Sequence, residues 1–214
     1  MNYVSERRNS VANINARYEY ALEFTGYDIS KVLFVDESGF KVTMRRRMGR
    51  AKVGSRASKA VKQINSRNIS ICSAVSFQKM VKYKTFKGSF NTVLFNDYIT
   101  DLVEILRNDM ITGYIFVMDN CSIHKSAELR NIITAAGHSL VFLPPYSPFL
   151  NPIEEVFSQW KSIVTKGDCM SDENELFERI ENAFLEISPE NCRNYFGHMR
   201  QYLKRSLEKQ EIWD

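Results

Sequence analysis

Three carboxylates in this 214-residue sequence occupy positions that suit metal chemistry. Asp36 closes the apolar run "LFVD" and Asp119 closes the run "FVMD", while the stretch "SPFLNPIEE" supplies a third acid, Glu154 or Glu155. A single aspartate after a strand is more often a turn or cap residue, but two such strands and a third carboxylate favour a shared site. Oxygen ligands that converge without histidine or cysteine suit Mg²⁺ or Mn²⁺.

Helix geometry distinguishes the two adjacent glutamates. Asn151 is predicted to be the N-cap of a helix and Pro152 its first residue, which leaves Glu154 able to reach back to the cap. The apolar residues of this helix define one buried stripe: Ile153, Val156, Phe157, Trp160 and Val164. At about 100° per residue, Glu154 lies roughly 110° from the centre of the stripe, at its border, and Glu155 lies roughly 150° away and is predicted to point outward. The geometry therefore favours Glu154 as the third site residue.

The elements that must position these acids follow one another in mixed order. A helix over "RRNSVANINARYEYALEF" is followed by "KVLFVDESGF", which predicts a buried strand that meets a loop after the acid. Two strands, a helix, a strand, a helix and a strand come next, and three helices follow at about 151–166, 172–187 and 190–210. This order favours an α/β sheet with helices on its faces, where ligands gather outside the carboxyl ends of strands.

Composition excludes several classes of protein. The chain is 44% hydrophobic and 25% charged, which is typical of a globular protein. No apolar run approaches the roughly 18 residues of a membrane helix, and the polar start "MNYVSERRNS" does not resemble a signal peptide. The four cysteines, Cys72, Cys121, Cys169 and Cys192, are widely spaced, as expected for reduced thiols in a cytosolic or nuclear protein.

Positive charge is concentrated between residues 41 and 71. This segment holds ten basic residues and no acidic one, so the rest of the chain has 29 − 10 = 19 basic against 25 acidic residues. Such a segment attracts polyanions, chiefly nucleic acid, although a solvated loop or a nuclear-import signal explains the same charges. The candidate DNA-binding residues are Arg45, Arg46, Arg47, Arg50 and Lys52.

Three blocks of the sequence resemble the catalytic blocks of mariner-like DDE transposases. They are "VLFVDESGF", "YIFVMDNCSIHKS" and "LVFLPPYSPFLNPIEEVFSQWK". Asp119 and Glu154 are 154 − 119 = 35 positions apart, with 34 residues between them, which matches the spacing of that family. The resemblance covers nearly the whole chain. It departs from the family at Phe149, where members usually carry an acidic or amide residue.

The resemblance implies a fold, a metal site and an activity. The fold is a ribonuclease-H-like mixed sheet with flanking helices and a helical C-terminal extension. Residues 1–30 are expected to form a helix and linker, 31–166 the catalytic core, and 167–214 the C-terminal helices of the same domain. Asp36, Asp119 and Glu154 are expected to hold two Mg²⁺ or Mn²⁺ ions, which serve both in-line displacements of transposition, cleavage by water and attack of the freed 3′-hydroxyl on target DNA.

Partners and location follow from the same resemblance. The chain is expected to act on double-stranded DNA, at element ends and at a target that is usually TA, as a homodimer assembled on DNA and without a membrane. Its location is expected to be the nucleus in a eukaryote and the cytoplasm otherwise. No helix-turn-helix segment precedes "RRNS" in these residues, so recognition of element ends is not expected of them.

Other interpretations stay open at this point. One is a non-catalytic DNA-binding or assembly protein derived from a decayed transposon, and another is a ribonuclease-H-like nuclease acting on RNA or hybrids. Asn120 is either a site residue or turn chemistry. His124 is predicted to make a structural hydrogen bond, and Tyr146 either stacks on a base or packs against prolines.

Overall fold

A mixed five-stranded sheet forms the centre of the described part of the chain. The computed structural model describes residues 4–44, 51–58, 68–167 and 169–213. The strands are β1 (Val32–Phe40), β2 (Ile69–Ser76), β3 (Met80–Lys87), β4 (Ile115–Met118) and β5 (Ser139–Phe142). Their order in the sheet is β3-β2-β1-β4-β5. The first three strands pair antiparallel, whereas β4 runs parallel to β1 and β5 parallel to β4.

Six α-helices of the described residues cover the two faces of this sheet. They are α1 (Val11–Phe24), α2 (Thr92–Asn108), α3 (Ala127–Ala135), α4 (Pro152–Val164), α5 (Glu173–Glu186) and α6 (Pro189–Leu207). Successive side chains of a strand point to opposite faces. Val32 and Phe34 of β1 therefore join a core with α1, α4, α5 and α6, while Leu33 and Val35 join a core with α2 and α3. The predicted order of elements is confirmed.

Strand β1 is longer than its apolar run predicts. The sequence indicates a strand that ends at Asp36, but β1 continues to Phe40 and Asp36 lies opposite Ser73 of β2. The reason is unequal pairing, because β4 pairs only with Val32–Phe34 while β2 pairs along the strand to Phe40. Asp36 thus lies just beyond the parallel part of the sheet, where one side of the strand is open.

Helix α4 has the predicted apolar stripe. All five stripe residues are at most 2% exposed: Ile153, Val156, Phe157, Trp160 and Val164. Trp160 also donates its indole N–H to the carbonyl oxygen of Ile180 in α5, at 3.0 Å. This stripe fixes the rotation of α4 about its axis, and hence the directions of its glutamates.

The two ends of the described chain are joined through Asn9 and Ile212. Helices α1 and α6 pack against each other, and Asn9 exchanges two hydrogen bonds with the backbone of Ile212, at 3.1 and 3.0 Å. The division into a core and C-terminal helices at residue 166 stays a prediction. Among the described helices, none has the length and apolar character needed to cross a bilayer.

Phe149, in the loop before α4, contacts residues that are distant in the sequence. Its ring packs against Tyr202 of α6, with centroids 5.0 Å apart and planes tilted by 35°. The guanidinium groups of Arg8 and of the buried Arg17 lie over the same ring, 5.5 and 5.9 Å from its centroid. The residue that departs from the family is therefore a packing residue that ties the loop to α1 and α6.

Candidate active site

A groove beside the carboxyl ends of β4 and β5 brings predicted site residues together. It has a volume of about 380 Å³ and is lined by Asp119, Asn120, Cys121, Leu143, Pro144, Pro145, Tyr146, Ser147, Pro148, Asn151 and Glu154. Asp119 directly follows β4, and Glu154 lies in the first turn of α4. The strands thus deliver one acid and the proline-rich loop delivers another to the same concave surface.

Asp36 is the buried acid of the site. It is 8% exposed, and its Oδ1 accepts a hydrogen bond from the backbone N–H of Glu37 at 2.7 Å. Burial raises the pKa of Asp36 to about 8; the Glu37 hydrogen bond opposes the rise, and the charges of Glu154, Asp119 and Glu37 add to it. The Asp36 carboxylate thus lies within range of the charges of Glu154 and Asp119.

Asn151 holds the other oxygen of Asp36. Its Nδ2 donates to Asp36 Oδ2 at 2.9 Å, and Asn151 is 3% exposed. Asn151 is the N-cap of α4 with Pro152 first in the helix, as predicted, but its side chain makes no cap hydrogen bond. The side chain of Asn151 is turned towards Asp36 instead. Its Oδ1 is buried and has no partner among the described residues.

The Asp119 side chain is bonded to His124. The Asp119 side chain is 47% exposed, and its Oδ1 lies 2.7 Å from His124 Nδ1. The same oxygen accepts the backbone N–H of Cys121 at 2.9 Å. The hydrogen bond from His124 lowers the pKa of Asp119; partial burial opposes this, and the Cys121 bond and the positive charge of His124 reinforce it. Asp119 is therefore an ionised ligand candidate at neutral pH.

His124 also contacts Glu37, a residue that the sequence prediction missed. His124 Nε2 lies 3.0 Å from Glu37 Oε2, and the ring is 1% exposed. Burial alone would lower the pKa of His124, but its bonds to Asp119 and Glu37 and their charges raise it to about 10. The predicted structural hydrogen bond is present, with a second one beside it. The sequence offers one signal for Glu37, its position directly after Asp36. Successive side chains of a strand point to opposite faces of the sheet, so Glu37 is directed to the face opposite Asp36.

The two adjacent glutamates of α4 have different surroundings. Glu154 is exposed and lines the groove. Partial desolvation raises its pKa, Lys161 opposes the rise, and the charge of Asp119 adds to it. Glu155 lies at the protein surface: its side chain is 36% exposed, and its Oε1 lies 2.6 Å from His198 Nδ1 of α6. Helix α6 covers that side of α4, which the stripe alone did not indicate.

The donor set fits a divalent ion by its chemistry. Within the described ranges, no three His, Cys, Asp or Glu side chains already stand together as a metal-binding group. Asp36 is bonded to Asn151, and Asp119 is bonded to His124. Carboxylate and amide oxygens are nevertheless the ligands that Mg²⁺ and Mn²⁺ prefer. The mutual charge effects and the unpartnered Asn151 Oδ1 are features that a cation and its water shell would satisfy.

The remaining predicted residues are the candidate DNA-binding residues and Tyr146. Arg45, Arg46, Arg47 and Arg50 lie outside the described residues, and Lys52 is exposed. Tyr146 is 44% exposed and lines the groove with a left-handed backbone, φ 56°. Non-glycine residues in that conformation often mark functional sites. Base stacking by Tyr146 stays a prediction.

Comparison with known proteins gives matches of two kinds. A family model described as "DDE superfamily endonuclease" matches residues 31–177. The solved "Mos1 transposase paired-end complex with left transposon end" has a TM-score of 0.81 at 13% identity and covers 100% of this chain and 65% of that chain. The "Mos1 mariner paired end complex with Mn" gives the same four values. No curated protein matches this chain significantly.

A further match is to a structure of a single domain. The "catalytic domain of Mos1 mariner transposase" has a TM-score of 0.74 at 12% identity, with coverage of 100% of this chain and 98% of that one. This chain thus corresponds to nearly the full length of that domain and to 65% of the longer Mos1 chain. The predicted ribonuclease-H-like fold, a mixed sheet with flanking helices, is confirmed.

Proposed function

This chain belongs to the DDE superfamily endonucleases, and we propose that it is the catalytic domain of a mariner-like transposase. The proposed reaction is divalent-metal-dependent cleavage of DNA at element ends, followed by strand transfer into target DNA. The observation that carries the proposal is the arrangement of three carboxylates about one groove: Asp119 and Glu154 line it, and Asp36 is bonded to Asn151, which also lines it. All three acids are present, which supports an enzyme over a non-catalytic assembly protein.

The protein residues have separate tasks in this proposal. Asp36, Asp119 and Glu154 would hold two Mg²⁺ or Mn²⁺ ions; the similarity to the Mos1 complex with Mn supports this choice of metal. Bound ions of this kind activate a nucleophilic oxygen and stabilise a leaving oxygen. Asn151 fixes Asp36 through its amide, at 2.9 Å. Glu154 enters from α4, so the third acid comes from a helix whose rotation is fixed by its buried stripe.

Substrate binding is proposed to involve the phosphate backbone of double-stranded DNA. Three phosphate-repelling carboxylates need cations and basic side chains around them, and Arg45, Arg46, Arg47, Arg50 and Lys52 provide positive charge next to β1 in the sequence. The similarity to a Mos1 complex with a transposon end supports DNA as the partner. A TA target, a homodimer on DNA and a nuclear location remain parts of the proposal.

A nicking assay tests the proposed function. The protein is incubated with supercoiled plasmid in Mg²⁺ or Mn²⁺, and separately in Ca²⁺ or EDTA. Nicking is expected only in the reactions with Mg²⁺ or Mn²⁺, and not in those with Ca²⁺ or EDTA, because without a suitable ion the carboxylates repel the phosphate. Asp36→Asn and Asp119→Asn should each abolish nicking. Nicking in EDTA, or full activity in either variant, would overturn the metal assignment.

A further inference from the structure

The ring of His124 is clamped between two carboxylates. Its Nδ1 lies 2.7 Å from Asp119 Oδ1 and its Nε2 lies 3.0 Å from Glu37 Oε2. The ring is 1% exposed and packs against Phe95 of α2, with centroids 4.4 Å apart. A ring with both nitrogens engaged and one face packed has a single orientation. His124 therefore presents a fixed donor to Asp119.

Glu37 fixes His124 from the side of the sheet opposite to Asp36. The two residues are consecutive in β1, so their side chains point to different faces. Glu37 pairs in register with Cys72, which belongs to the core under α2 and α3. Its side chain is 17% exposed, so this carboxylate is partly removed from water and directed at the imidazole. Two adjacent residues of β1 thus serve the site in different ways.

Asp119 needs such a restraint more than Asp36 does. Asp36 is 8% exposed and is fixed by its strand neighbours and Asn151. Asp119 follows the last residue of β4, and its side chain is 47% exposed. Besides the backbone N–H of Cys121, the ring of His124 is the donor that restrains this half-exposed carboxylate. Groups that orient a metal ligand from outside are typically worth about 10–100-fold in metal affinity or activity.

We infer that Glu37 and His124 form a positioning pair that holds the Asp119 carboxylate in its metal-binding orientation. The pair touches neither substrate nor scissile bond; Glu37 acts through His124, and His124 acts through Asp119. This inference rests on the proposed function, since it concerns the ligand set assigned there. Glu37 thus positions His124, whereas its neighbour Asp36 is itself a proposed metal ligand.

Metal titration with matched variants tests the pair. Mn²⁺ affinity is measured by calorimetry on wild-type protein, Glu37→Gln and His198→Gln. Glu37→Gln preserves shape and should weaken Mn²⁺ binding about 10–100-fold, while circular dichroism stays unchanged. His198→Gln disrupts the other His–Glu contact, between α6 and Glu155, and should bind Mn²⁺ like the wild type. Unchanged affinity in Glu37→Gln would overturn the inference.

Two further measurements keep the result decisive. The ring N–H protons of His124 should be visible by NMR in the metal-free wild type and exchange faster in Glu37→Gln; equal exchange would overturn the inference even if Glu37→Gln proves unstable. His124→Asn, which retains a short donor towards Asp119, should bind Mn²⁺ more tightly than His124→Ala. A wild type that binds Mn²⁺ but nicks no DNA would refute the proposed function alone, since the affinity ratios would still test the pair.

Discussion

Asp36 and Asp119 each lie two residues beyond the last paired residues of the neighbouring parallel strands β1 and β4. The register pairs Phe34 of β1 with Val117 of β4, and two more residues along each chain lead to Asp36 and Asp119. Neighbouring strands lie about 4.7–4.9 Å apart. The parallel pairing of β1 and β4 thus brings these two acids to the same edge of the sheet.

The adjacent glutamates of α4 provide a matched pair for mutation. Glu154→Gln should eliminate DNA nicking and leave folding and DNA binding largely intact, because Glu154 lines the groove and is exposed. Glu155→Gln should remain active, because Glu155 contacts His198 on another side of the helix. Both variants are compared on one DNA substrate by nicking and by gel-shift assay. The reverse pattern would show that the third ligand is Glu155.

A comparison of variants at Asn151 and Asn91 distinguishes a role in the site from a role in helix capping. Asn91 caps α2, with its Oδ1 accepting the backbone N–H of Leu94 at 2.9 Å, whereas the side chain of Asn151 is bonded to Asp36. Asn91→Ala should lose about 1 kcal/mol of unfolding free energy and nick normally. Asn151→Ala should reduce nicking about 10–100-fold, as for other groups that orient a ligand. Urea unfolding and nicking rates measure both, and wild-type nicking by Asn151→Ala would contradict this role.

The basic segment is expected to contact the DNA backbone. Changing Arg45, Arg46 and Arg47 to Gln should weaken binding to all sequences and reduce the slope of log affinity against log salt by up to about three. A control carries the same charge change at three exposed basic residues of α2, α3 and α6: Arg107, Arg130 and Lys204. Fluorescence anisotropy at several salt concentrations measures both slopes. An unchanged slope in the first variant would indicate a localisation signal or plain surface.

His138 should make the stability depend on pH below neutrality. The residue is 5% exposed, its Nδ1 accepts the backbone N–H of Tyr114 at 3.1 Å, and burial lowers its pKa from the ordinary 6.5. As pH falls below 6.5, His138 becomes protonated in the unfolded chain while it remains neutral in the folded protein. The free energy of unfolding therefore decreases with falling pH until the pKa of His138 in the folded protein is passed. His138→Asn keeps an acceptor and does not titrate. Its unfolding free energy should therefore fall less between about pH 7 and 5, and equal slopes would contradict this assignment.

Local sequence patterns predicted much of the fold but less of the site. The apolar stripe of α4 and the runs before Asp36 and Asp119 record which side chains are buried, so they indicate the elements and the strand-end acids. The partners of those acids have no local pattern. Asn151 and Asp36 are 115 positions apart, and His124 and Glu37 are 87 apart. Such contacts arise only when the sheet and helices are assembled.

The packing of Phe149 has a consequence for protein synthesis. Its ring lies against Arg17 of α1 and Tyr202 of α6, so the loop that precedes Glu154 rests on a helix that leaves the ribosome well after it. A nascent chain that has not yet reached α6 already contains all three carboxylates, yet it lacks the surface that supports this loop. The loop before Glu154 therefore gains this support only once α6 has been made.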